Sequence, residues 1–297
     1  FMLHVLILAA GLGTRLKPLT DSCPKPLVPV VDASILEHQV RFVKTLGDVT
    51  LHVNAHHLAE KLEKEAKQLG FFKVWQEQEL LGTGGPIHRM AKEMDIDELL
   101  ILNGDCFCSL DLKAFLNAAR ASQSSVALLC RDFSKVNTLL IENSKLQGIA
   151  NKFLFGNPTS RATFSGISWY SKKALQNIRE SERDVRDFWK RLIENGDSPA
   201  TFLAKENSLW IDMGTPIGLF NAVKARLSQL NKTNWIDSKA SLGNNVLVGD
   251  NVVIHQDTFV GDSAHLENAV ILPGAKLEPK QVYKNQIVGE NFTWGLE

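Results

Sequence analysis

The sequence is poor in cysteine, in long apolar runs and in net charge. Its 297 residues contain four cysteines, and 33 Lys and Arg match 33 Asp and Glu. Four cysteines are too few for a disulfide scaffold, which predicts a soluble cytoplasmic protein with reduced thiols. No apolar run approaches the roughly 18 residues that span a bilayer. Zero net charge argues against a general nucleic-acid or membrane-surface binder, so we expect neither partner.

Familiar phosphate-binding and metal-binding motifs are also absent. A dinucleotide fingerprint requires G-x-G-x-x-G, and Leu16 stands where its third glycine would be. A Walker A loop requires Gly-Lys followed by Ser or Thr, and the chain contains no such tripeptide. Cys106 and Cys108 form an isolated C-x-C with no second pair at zinc spacing, so we expect no zinc site.

Up to about residue 230, short apolar runs alternate with amphipathic stretches. The runs predict strands at Leu3–Leu8, Val49–Val53, Phe72–Trp75, Leu99–Leu102, Val126–Cys130, Leu139–Ile141, Leu146–Ile149 and Gly166–Tyr170. The amphipathic stretches predict helices at Ile35–Leu46, His57–Leu69, Ile87–Met94, Leu112–Ala121, Val185–Ile193 and Pro216–Leu227. This alternation predicts an α/β domain over residues 2–232, with a mainly parallel mixed sheet covered on both faces.

A six-residue repeat begins near the end of the chain. Aliphatic residues recur in one phase at Leu242, Val248, Ile254, Val260, Leu266 and Leu272. One inward aliphatic side chain per six residues is typical of a parallel β-helix, and an antiparallel strand would not keep this period. The repeat predicts a second domain at 233–297, and it resembles the left-handed hexapeptide β-helix. The exposed edges of such a tail and its Trp294 predict self-association through it.

A glycine-rich loop follows the first predicted strand. Gly11 and Gly13 leave backbone N–H groups open to an anion, because no Cβ intervenes. Arg15 adds a forked cation for phosphate oxygens. Lys25 lies between two prolines, which stiffen the segment that carries it. These residues predict a phosphate-binding site.

Two carboxylates lie where a metal ion is useful. Asp105 follows the predicted strand Leu99–Leu102, and ligands bind parallel sheets at the carboxyl ends of their strands. Asp212 precedes a helix whose expected N-cap is Thr215. Carboxylate oxygens suit Mg²⁺, the cation that accompanies nucleoside triphosphates. Alternatively, Asp105 forms a turn and Asp212 is a structural hydrogen-bond acceptor.

The glycine-rich segment Leu81–Pro86 opens a predicted helix. The N–H groups at a helix start favour a ligand oxygen, and missing side chains leave room for a flat base. The segment therefore predicts part of a nucleotide site.

The segments Leu8–Thr20 and Pro24–Leu27 together resemble the signature of the sugar-1-phosphate nucleotidyltransferases. The matching pattern is L-A-A-G-x-G-T-R-L-x-P-L-T, followed by P-K-P-L. Enzymes of this family join an NTP and a sugar 1-phosphate into an NDP-sugar and pyrophosphate. The resemblance implies a Rossmann-like catalytic domain, Mg²⁺ as cofactor and, in many members, a left-handed β-helix.

The resemblance also implies roles for individual residues. The nucleotide-binding positions are Leu8, Ala9, Ala10, Gly11, Gly13, Thr14, Arg15, Glu77, Gly82, Thr83 and Asp105. The positions that bind the sugar phosphate are Asn103, Lys152 and Gly166. The metal ligands are Asp105 and Asp212, and the catalytic residues are Arg15, Lys25 and Asp105. Two alternatives stay open. Lys152 lies in Asn-Lys-Phe where many members have Glu-Lys-Pro, so the alternative is a solvated surface lysine. For Glu77, the alternative is an exposed glutamate beside a helix.

The implied reaction is an in-line attack of the sugar phosphate on the α-phosphorus of the NTP, without a general base. Two substrate pairs are possible, UTP with N-acetylmuramate 1-phosphate and GTP with mannose 1-phosphate, because some motifs resemble enzymes that use the first pair and others resemble enzymes that use the second. Two other functions compete with this one: a regulatory subunit that binds NDP-sugar without turnover, and a β-helix acyltransferase. The four residues Arg15, Lys25, Asp105 and Asp212 disfavour the first, and the short repeat disfavours the second.

Overall fold

The computed structural model describes residues 2–296, which fall into two compact units. The first unit holds residues 2–11 and 39–210, and the second holds 12–38 and 211–296. The predicted boundary between 232 and 233 does not coincide with this division, because 12–38 and the helix before the tail belong to the same unit as the tail. The assignment of residues 2–232 to a catalytic domain and of 233–297 to a separate tail domain stays a prediction.

The first unit is built on a mixed sheet, which has ten strands within the described residues. Nine of them lie in the order Phe153–Leu154, Lys145–Ile149, Ala200–Leu203, Val126–Arg131, Ser160–Ser171, Glu98–Asn103, Leu3–Leu8, Val49–Ala55 and Lys73–Gln76. The tenth, Leu139–Glu142, pairs with Lys145–Ile149 and Ser160–Ser171. Cys106–Cys108 and Trp210–Asp212 are short strands outside this sheet. A strand is found at each of the eight predicted places, and the mixed α/β sheet is confirmed. Four of its pairings are parallel and six are antiparallel, so the pairing is less parallel than predicted.

Four parallel strands lie side by side within this sheet, and Lys73–Gln76 is the outermost of them, beside Val49–Ala55. Leu3–Leu8 is hydrogen-bonded to Val49–Ala55 on one side and to Glu98–Asn103 on the other. The next strand, Ser160–Ser171, runs antiparallel to Glu98–Asn103 and has twelve residues, where the apolar pattern predicted only Gly166–Tyr170. Because the parallel strands end at one edge of the sheet, the segments that follow them are brought together there.

The helices cover the positions that the periodicity predicted. Their bounds are Leu19–Ser22, Ile35–Val43, Ala59–Gln68, Gly85–Glu93, Leu112–Ala121, Lys172–Asn177, Val185–Glu194 and Pro216–Gln229. Asp111, Asp184 and Thr215 are side-chain N-caps that accept a backbone N–H of the first turn, as predicted for Thr215. Within residues 2–296, no helix has the length and apolar character needed to cross a membrane.

An ion pair ties the two parts of the second unit together. The helix Pro216–Gln229 contacts the short strand Pro29–Val30, which pairs with Ala33–Ser34. Arg226 donates from Nε and Nη2 to the two carboxylate oxygens of Asp32, at 2.7 Å each. This pair of charge-assisted bonds is one of the contacts that join residues 12–38 to the C-terminal part of the chain.

The tail is a stack of short parallel strands. They are Asn234–Ile236, Ser241–Leu242, Leu247–Val248, Val252–Ile254, Phe259–Val260, His265–Ile271, Lys276–Leu277 and Val282–Val288. Paired residues are 17 or 18 positions apart, as Asn234 is from Val252 and Val253 from Val270. Three six-residue faces therefore make one coil. Of the six aliphatic positions in one phase, Ile254, Val260, Leu266 and Leu272 are buried, whereas Leu242 and Val248 near the start of the stack are more exposed.

The last strand closes one edge of this stack. Thr293–Gly295 pairs antiparallel with Val282–Val288, which places Trp294 opposite Ile287. The rings of Phe292 and Trp294 lie 4.6 Å apart. The sequence predicted self-association through exposed edges of the tail, and this strand covers one of those edges. Self-association through the tail stays a prediction.

Each unit buries a histidine in its uncharged form. In the first unit, the fully buried His52 accepts a hydrogen bond from Nε1 of Trp75 at 3.2 Å and contacts Nδ1 of His4 at 2.9 Å. In the tail, His255 packs beside Trp235, and its buried Nε2 has no hydrogen-bond partner. Burial lowers the pKa of both His52 and His255 to about 4.

We expect acid to destabilise the protein through these histidines. In the unfolded chain a histidine takes up its proton near pH 6.5, whereas in the folded protein it does so only near pH 4. Stability is therefore lost as the pH falls from about 6.5 to 4, by about 3 kcal/mol for a shift of this size. Replacing His255 with Leu should reduce the loss of unfolding free energy between pH 7.5 and pH 4.5, measured in urea, by about 2 kcal/mol.

The matched control for this prediction is His265→Leu, which removes a histidine that is only partly buried in the same tail. Its pH dependence should resemble that of the unsubstituted protein. An identical loss of stability in all three proteins would show that protonation of His255 does not oppose folding.

Candidate functional site

A turn that carries Asp105 passes over the carboxyl end of the first strand. The backbone N–H of Gly104 donates to the carbonyl oxygen of Leu8 at 2.8 Å. A Cβ at residue 104 would collide with that oxygen and lie 3.3 Å from Cα of Ala9. Only glycine allows this approach, so the sequence Asn103-Gly104-Asp105 brings the half-buried Asp105 next to the start of the glycine-rich loop.

Gln39 holds this turn, and sequence reasoning missed it. Its Nε2 donates to the carbonyl oxygens of Asn103 at 2.7 Å and Cys106 at 3.3 Å, one on each side of Asp105. The side chain is 3% exposed, and its buried Oε1 has no hydrogen-bond partner. The sequence did contain a sign of this role, since the amide of Gln39 lies among the apolar residues of an amphipathic helix. An amide that is buried there requires hydrogen-bond partners.

Glu77 takes part in a buried hydrogen-bond network. Its Oε1 accepts from Nδ2 of Asn54 at 2.7 Å, and its Oε2 accepts from the N–H of Leu81 at 3.0 Å. Oδ1 of Asn54 in turn accepts from the N–H of Ala9 at 2.6 Å. The alternative of an exposed glutamate is wrong, since Glu77 is 6% exposed. The network fixes the start of the glycine-rich loop, and a base-binding role of Glu77 stays a prediction.

The glycines before the helix Gly85–Glu93 serve chain packing. The N–H of Gly84 donates to the carbonyl oxygen of Arg183 at 2.8 Å. A Cβ at Gly84 would collide with the carbonyl oxygen of Glu182. Oγ1 of Thr83 accepts from the N–H of Val185 at 3.0 Å. The space that the absent side chain of Gly84 leaves is therefore filled by backbone of this chain, whereas the sequence predicted room for a base there.

A cavity of about 630 Å³ opens in the first unit, and we call it the first-unit cavity. Four predicted residues line it, namely Leu8, Gly82, Thr83 and Asn103. Gly166 supports Asn103: its φ is +86°, and a Cβ there would lie 3.0 Å from Cβ of Asn103. The lining does not include Gly166 or the other predicted residues of this unit, which are Ala9, Ala10, Gly11, Glu77, Asp105 and Lys152.

Lys152 is held by carboxylates in this structure. Its Nζ lies 2.6 Å from Oδ2 of Asp184 and 3.4 Å from Oδ1 of Asp187. Burial raises the pKa of Asp184, but hydrogen bonds from Arg186 and Lys152 outweigh it and hold that pKa well below its usual value. A sugar phosphate would have to compete with Asp184 for Lys152, so the predicted contact stays a prediction.

In the second unit, Gly13 brings the glycine-rich loop against the segment that carries Lys25. Gly13 has φ +63° and begins the 3-10 turn Thr14–Leu16. A Cβ at this position would lie 2.8 Å from Cγ2 of Thr20 and 3.3 Å from Cβ of Lys25. The positive φ and the crowding both require glycine here. Arg15 follows on the exposed side of the turn.

Gly214 brings Arg15 and Asp212 together. The N–H of Gly214 donates to Oδ1 of Asp212 at 2.6 Å. A Cβ at residue 214 would collide with the guanidinium of Arg15 and would lie 2.7 Å from the same Oδ1. The second unit thus gathers three of the predicted residues, Arg15, Lys25 and Asp212.

The donor set suits a hard cation. Among residues 2–296, no three His, Cys, Asp or Glu side chains cluster closely enough to hold a metal ion by themselves. Mg²⁺ does not require such a cluster, because it usually takes one or two carboxylates and completes its octahedron with water and phosphate oxygens. Asp105 in the first unit is partly buried and Asp212 in the second unit is exposed, and each is a carboxylate of the kind that fits Mg²⁺.

Comparisons with known proteins define the class. Residues 4–137 match the family model described as nucleotidyl transferase. The bifunctional protein GlmU of Methanococcus maripaludis strain C5 is 30% identical over 345 aligned positions, which cover 99% of this chain and 79% of that protein. A protein of Arabidopsis thaliana named probable mannose-1-phosphate guanylyltransferase 2 is 24% identical, over 99% of this chain and 88% of its own. The chain belongs to the sugar-1-phosphate nucleotidyltransferase family.

A solved structure shares the fold. HddC from Yersinia pseudotuberculosis, complexed with GMP-PN, superimposes with a TM-score of 0.61 and 24% identity. The match covers 76% of this chain and all of that one. The likeness supports the α/β architecture described above.

Proposed function

We propose that this protein makes an NDP-sugar and pyrophosphate from an NTP and a sugar 1-phosphate, with Mg²⁺. The observation that carries the proposal is the turn of Asp105, which Gly104 and Gln39 hold over the end of the first strand. Family membership and the grouping of Arg15 with Asp212 beside Gly214 support it.

The proposed mechanism is a direct displacement at the α-phosphorus. An oxygen of the sugar 1-phosphate forms the new P–O bond, while the bond to the bridging oxygen breaks and its electron pair leaves with pyrophosphate. Arg15 and the backbone N–H groups of Gly11–Thr14 bind the β- and γ-phosphates, as cations and glycine loops do elsewhere. Lys25 stabilises the negative charge that develops at the α-phosphorus. The attacking oxygen is already ionised near neutral pH, so no side chain has to remove a proton.

Asp105 and Asp212 are the proposed ligands of Mg²⁺. When bound, this ion neutralises charge on the phosphates that react. The nucleotide contact proposed for Glu77 and the sugar-phosphate contacts proposed for Lys152 and Gly166 also belong to this proposal. The hydrogen bond from Asn54 to Glu77 and the close packing of Gly166 on Asn103 hold two of these residues in place, whereas a sugar phosphate would have to replace Asp184 at Lys152.

We further propose that the tail is a left-handed β-helix and that the protein self-associates through it. The parallel pairing and the burial of four of the six in-phase aliphatic side chains support the β-helix. Sedimentation that shows only a 33.0 kDa species at every concentration would contradict the self-association.

The experiment that tests the function is a pyrophosphate-release assay with Mg²⁺, run over four NTPs crossed with several sugar 1-phosphates. We expect turnover with at least one pair, and the two resemblances make UTP with N-acetylmuramate 1-phosphate and GTP with mannose 1-phosphate the first pairs to measure. If no pair reacts while an NDP-sugar binds, the protein is a binding module and the proposal is wrong.

Replacing Gln39 with Leu should lower the rate of this reaction about ten-fold or more. The substitution keeps the size of the side chain but leaves the carbonyl oxygens of Asn103 and Cys106 without their donor, so the turn of Asp105 loosens. The Mg²⁺ concentration for half-maximal rate should rise with it. The control is Gln68→Leu on an exposed helix face, and an unchanged Mg²⁺ dependence in Gln39→Leu would contradict the role of Gln39.

A further inference from the structure

A cluster of ion pairs lies at the first-unit cavity, with Asp184 at its centre. Asp184 and Arg186 line the cavity, and Nζ of Lys152 lies 2.6 Å from Oδ2 of Asp184. Arg186 binds the same carboxylate from Nε at 2.9 Å and from Nη2 at 2.7 Å, so two cations share one carboxylate. Asp187 is a weaker partner of Lys152, because it lies 3.4 Å away and its side chain is 54% exposed.

Arg186 fixes Asp184 independently of Lys152. Oδ1 of Asp184 accepts from the backbone N–H of Arg186 at 3.0 Å, as the N-cap of the helix Val185–Glu194. Both carboxylate oxygens also bind the guanidinium of Arg186. When Lys152 leaves, the carboxylate therefore stays paired and in position, which avoids the cost of an unpaired charge.

Lys152 is able to exchange its partner, because its backbone is fixed and its side chain is long. It lies in the turn between the strands Lys145–Ile149 and Phe153–Leu154, where Asn151 has φ +62°. The N–H of Lys152 donates to the carbonyl oxygen of Ile149 at 2.9 Å, and Ile149 lines the first-unit cavity. The flexible four-carbon stem lets the ammonium turn from the carboxylate to another anion nearby.

We propose, on the basis of the proposed function, that Asp184 is a built-in competitor of the sugar 1-phosphate, which occupies Lys152 in the free enzyme and weakens the binding of every phosphate that Lys152 anchors. A phosphate reaches Lys152 only in the fraction of molecules in which the lysine has left Asp184. The apparent affinity is the intrinsic affinity multiplied by this fraction. The NDP-sugar retains the phosphate of the sugar, so the same competition weakens its binding and favours its release. Asp184 thus acts through Lys152, as a positioning residue.

Replacing Asp184 with Asn should lower two constants about three- to five-fold, as expected for the loss of one partly exposed ion pair. They are the KM of the sugar 1-phosphate and the inhibition constant of the NDP-sugar product, measured with the substrate pair that the pyrophosphate assay identifies. The KM of the NTP should stay nearly unchanged, because Lys152 is not proposed to bind it. Asn and Ser both cap helices about as well as Asp, so Asp184→Ser is a second variant that keeps the helix.

The matched control is Asp111→Asn, which changes a carboxylate that caps the helix Leu112–Ala121. Both constants should keep their original values in this variant. An unchanged or higher KM of the sugar 1-phosphate in both Asp184→Asn and Asp184→Ser would overturn the inference.

A double-mutant cycle with Lys152→Met tests whether Asp184 acts through Lys152. Alone, this substitution should raise the KM of the sugar 1-phosphate about ten-fold or more, because it removes a charged hydrogen-bond donor. Added to it, Asp184→Asn should no longer lower that KM. If Asp184→Asn lowers the KM equally without the lysine, the carboxylate repels the phosphate directly and the inference is wrong.

The outcomes separate the levels of the proposal. If no sugar 1-phosphate releases pyrophosphate, the proposed function is wrong and the inference falls with it. If sugar 1-phosphates react but Lys152→Met leaves their KM unchanged, the reaction stands, whereas the contact of Lys152 and this inference are both wrong. If Lys152→Met raises the KM and neither Asp184 variant lowers it, only the competition by Asp184 is wrong.

Discussion

Replacing Asp105 with Asn lowers the rate of pyrophosphate release by about a thousand-fold or more, with little change in the melting temperature. Asn keeps the size of the side chain but removes the negative charge that Mg²⁺ and the reacting phosphates require. The turn that carries Asp105 is held by backbone contacts of Gly104 and by Gln39, so we expect it to keep its shape in the variant. The measurement is kcat/KM at saturating Mg²⁺, with the thermal melt recorded on the same sample.

The matched control is Asp111→Asn, which removes a carboxylate a few residues further on. Asp111 caps the helix Leu112–Ala121 by accepting from the N–H of Ala114 at 3.0 Å, and Asn caps a helix about as well as Asp. Both activity and melting temperature should therefore stay close to the original values. Full activity in Asp105→Asn would overturn the mechanism.

Replacing Gly214 with Ala lowers kcat/KM by about a hundred-fold. The backbone at Gly214 does not have a positive φ, so it can accept alanine, but the new methyl group would collide with the Arg15 guanidinium and crowd Oδ1 of Asp212. Displacement of catalytic groups by about 1 Å is enough for a loss of this size. A steady-state assay with the NTP varied should show the loss, since Arg15 is proposed to bind its phosphates.

Gly295→Ala is the control for this substitution. No heavy atom lies within 4 Å of the Cβ that it would add, and residue 295 is in the tail. Its activity and its melting temperature should match those of the original protein. If Gly214→Ala folds normally and its activity stays within a few-fold of the original protein's, catalysis does not depend on the present arrangement of Arg15 and Asp212.

Local patterns predicted the elements well where their partners are near in the chain. The helix Leu112–Ala121 has the predicted bounds, because its apolar spacing and its cap both lie within the segment. The two predicted strands at residues 139–149 pair as a hairpin, and Asn143 and Ser144 in the turn between them have positive φ. The long strand Ser160–Ser171 was only partly predicted, because polar residues and an irregularity between Phe164 and Ile167 interrupt its apolar pattern.

Side-chain partners that are far apart in the chain were not predictable. Gln39 binds carbonyl oxygens 64 and 67 positions away, and Glu77 binds Asn54 across two strands. No periodicity encodes such pairs, since they exist only once the sheet sets the order and register of its strands. The same holds for Gly84, whose missing side chain makes room for backbone at residue 182.

The sequence by itself determined the α/β class, most of the strands and helices, the six-residue repeat and the list of chemically suited residues around Arg15 and Asp105. The tertiary structure alone decided which of those residues meet. It placed Asp212 beside Arg15, Lys152 on Asp184, and a largely apolar lining around the first-unit cavity. The physical reason is range: hydrophobic periodicity and capping act over a few residues, whereas a site is made by contacts that packing brings together from across the chain.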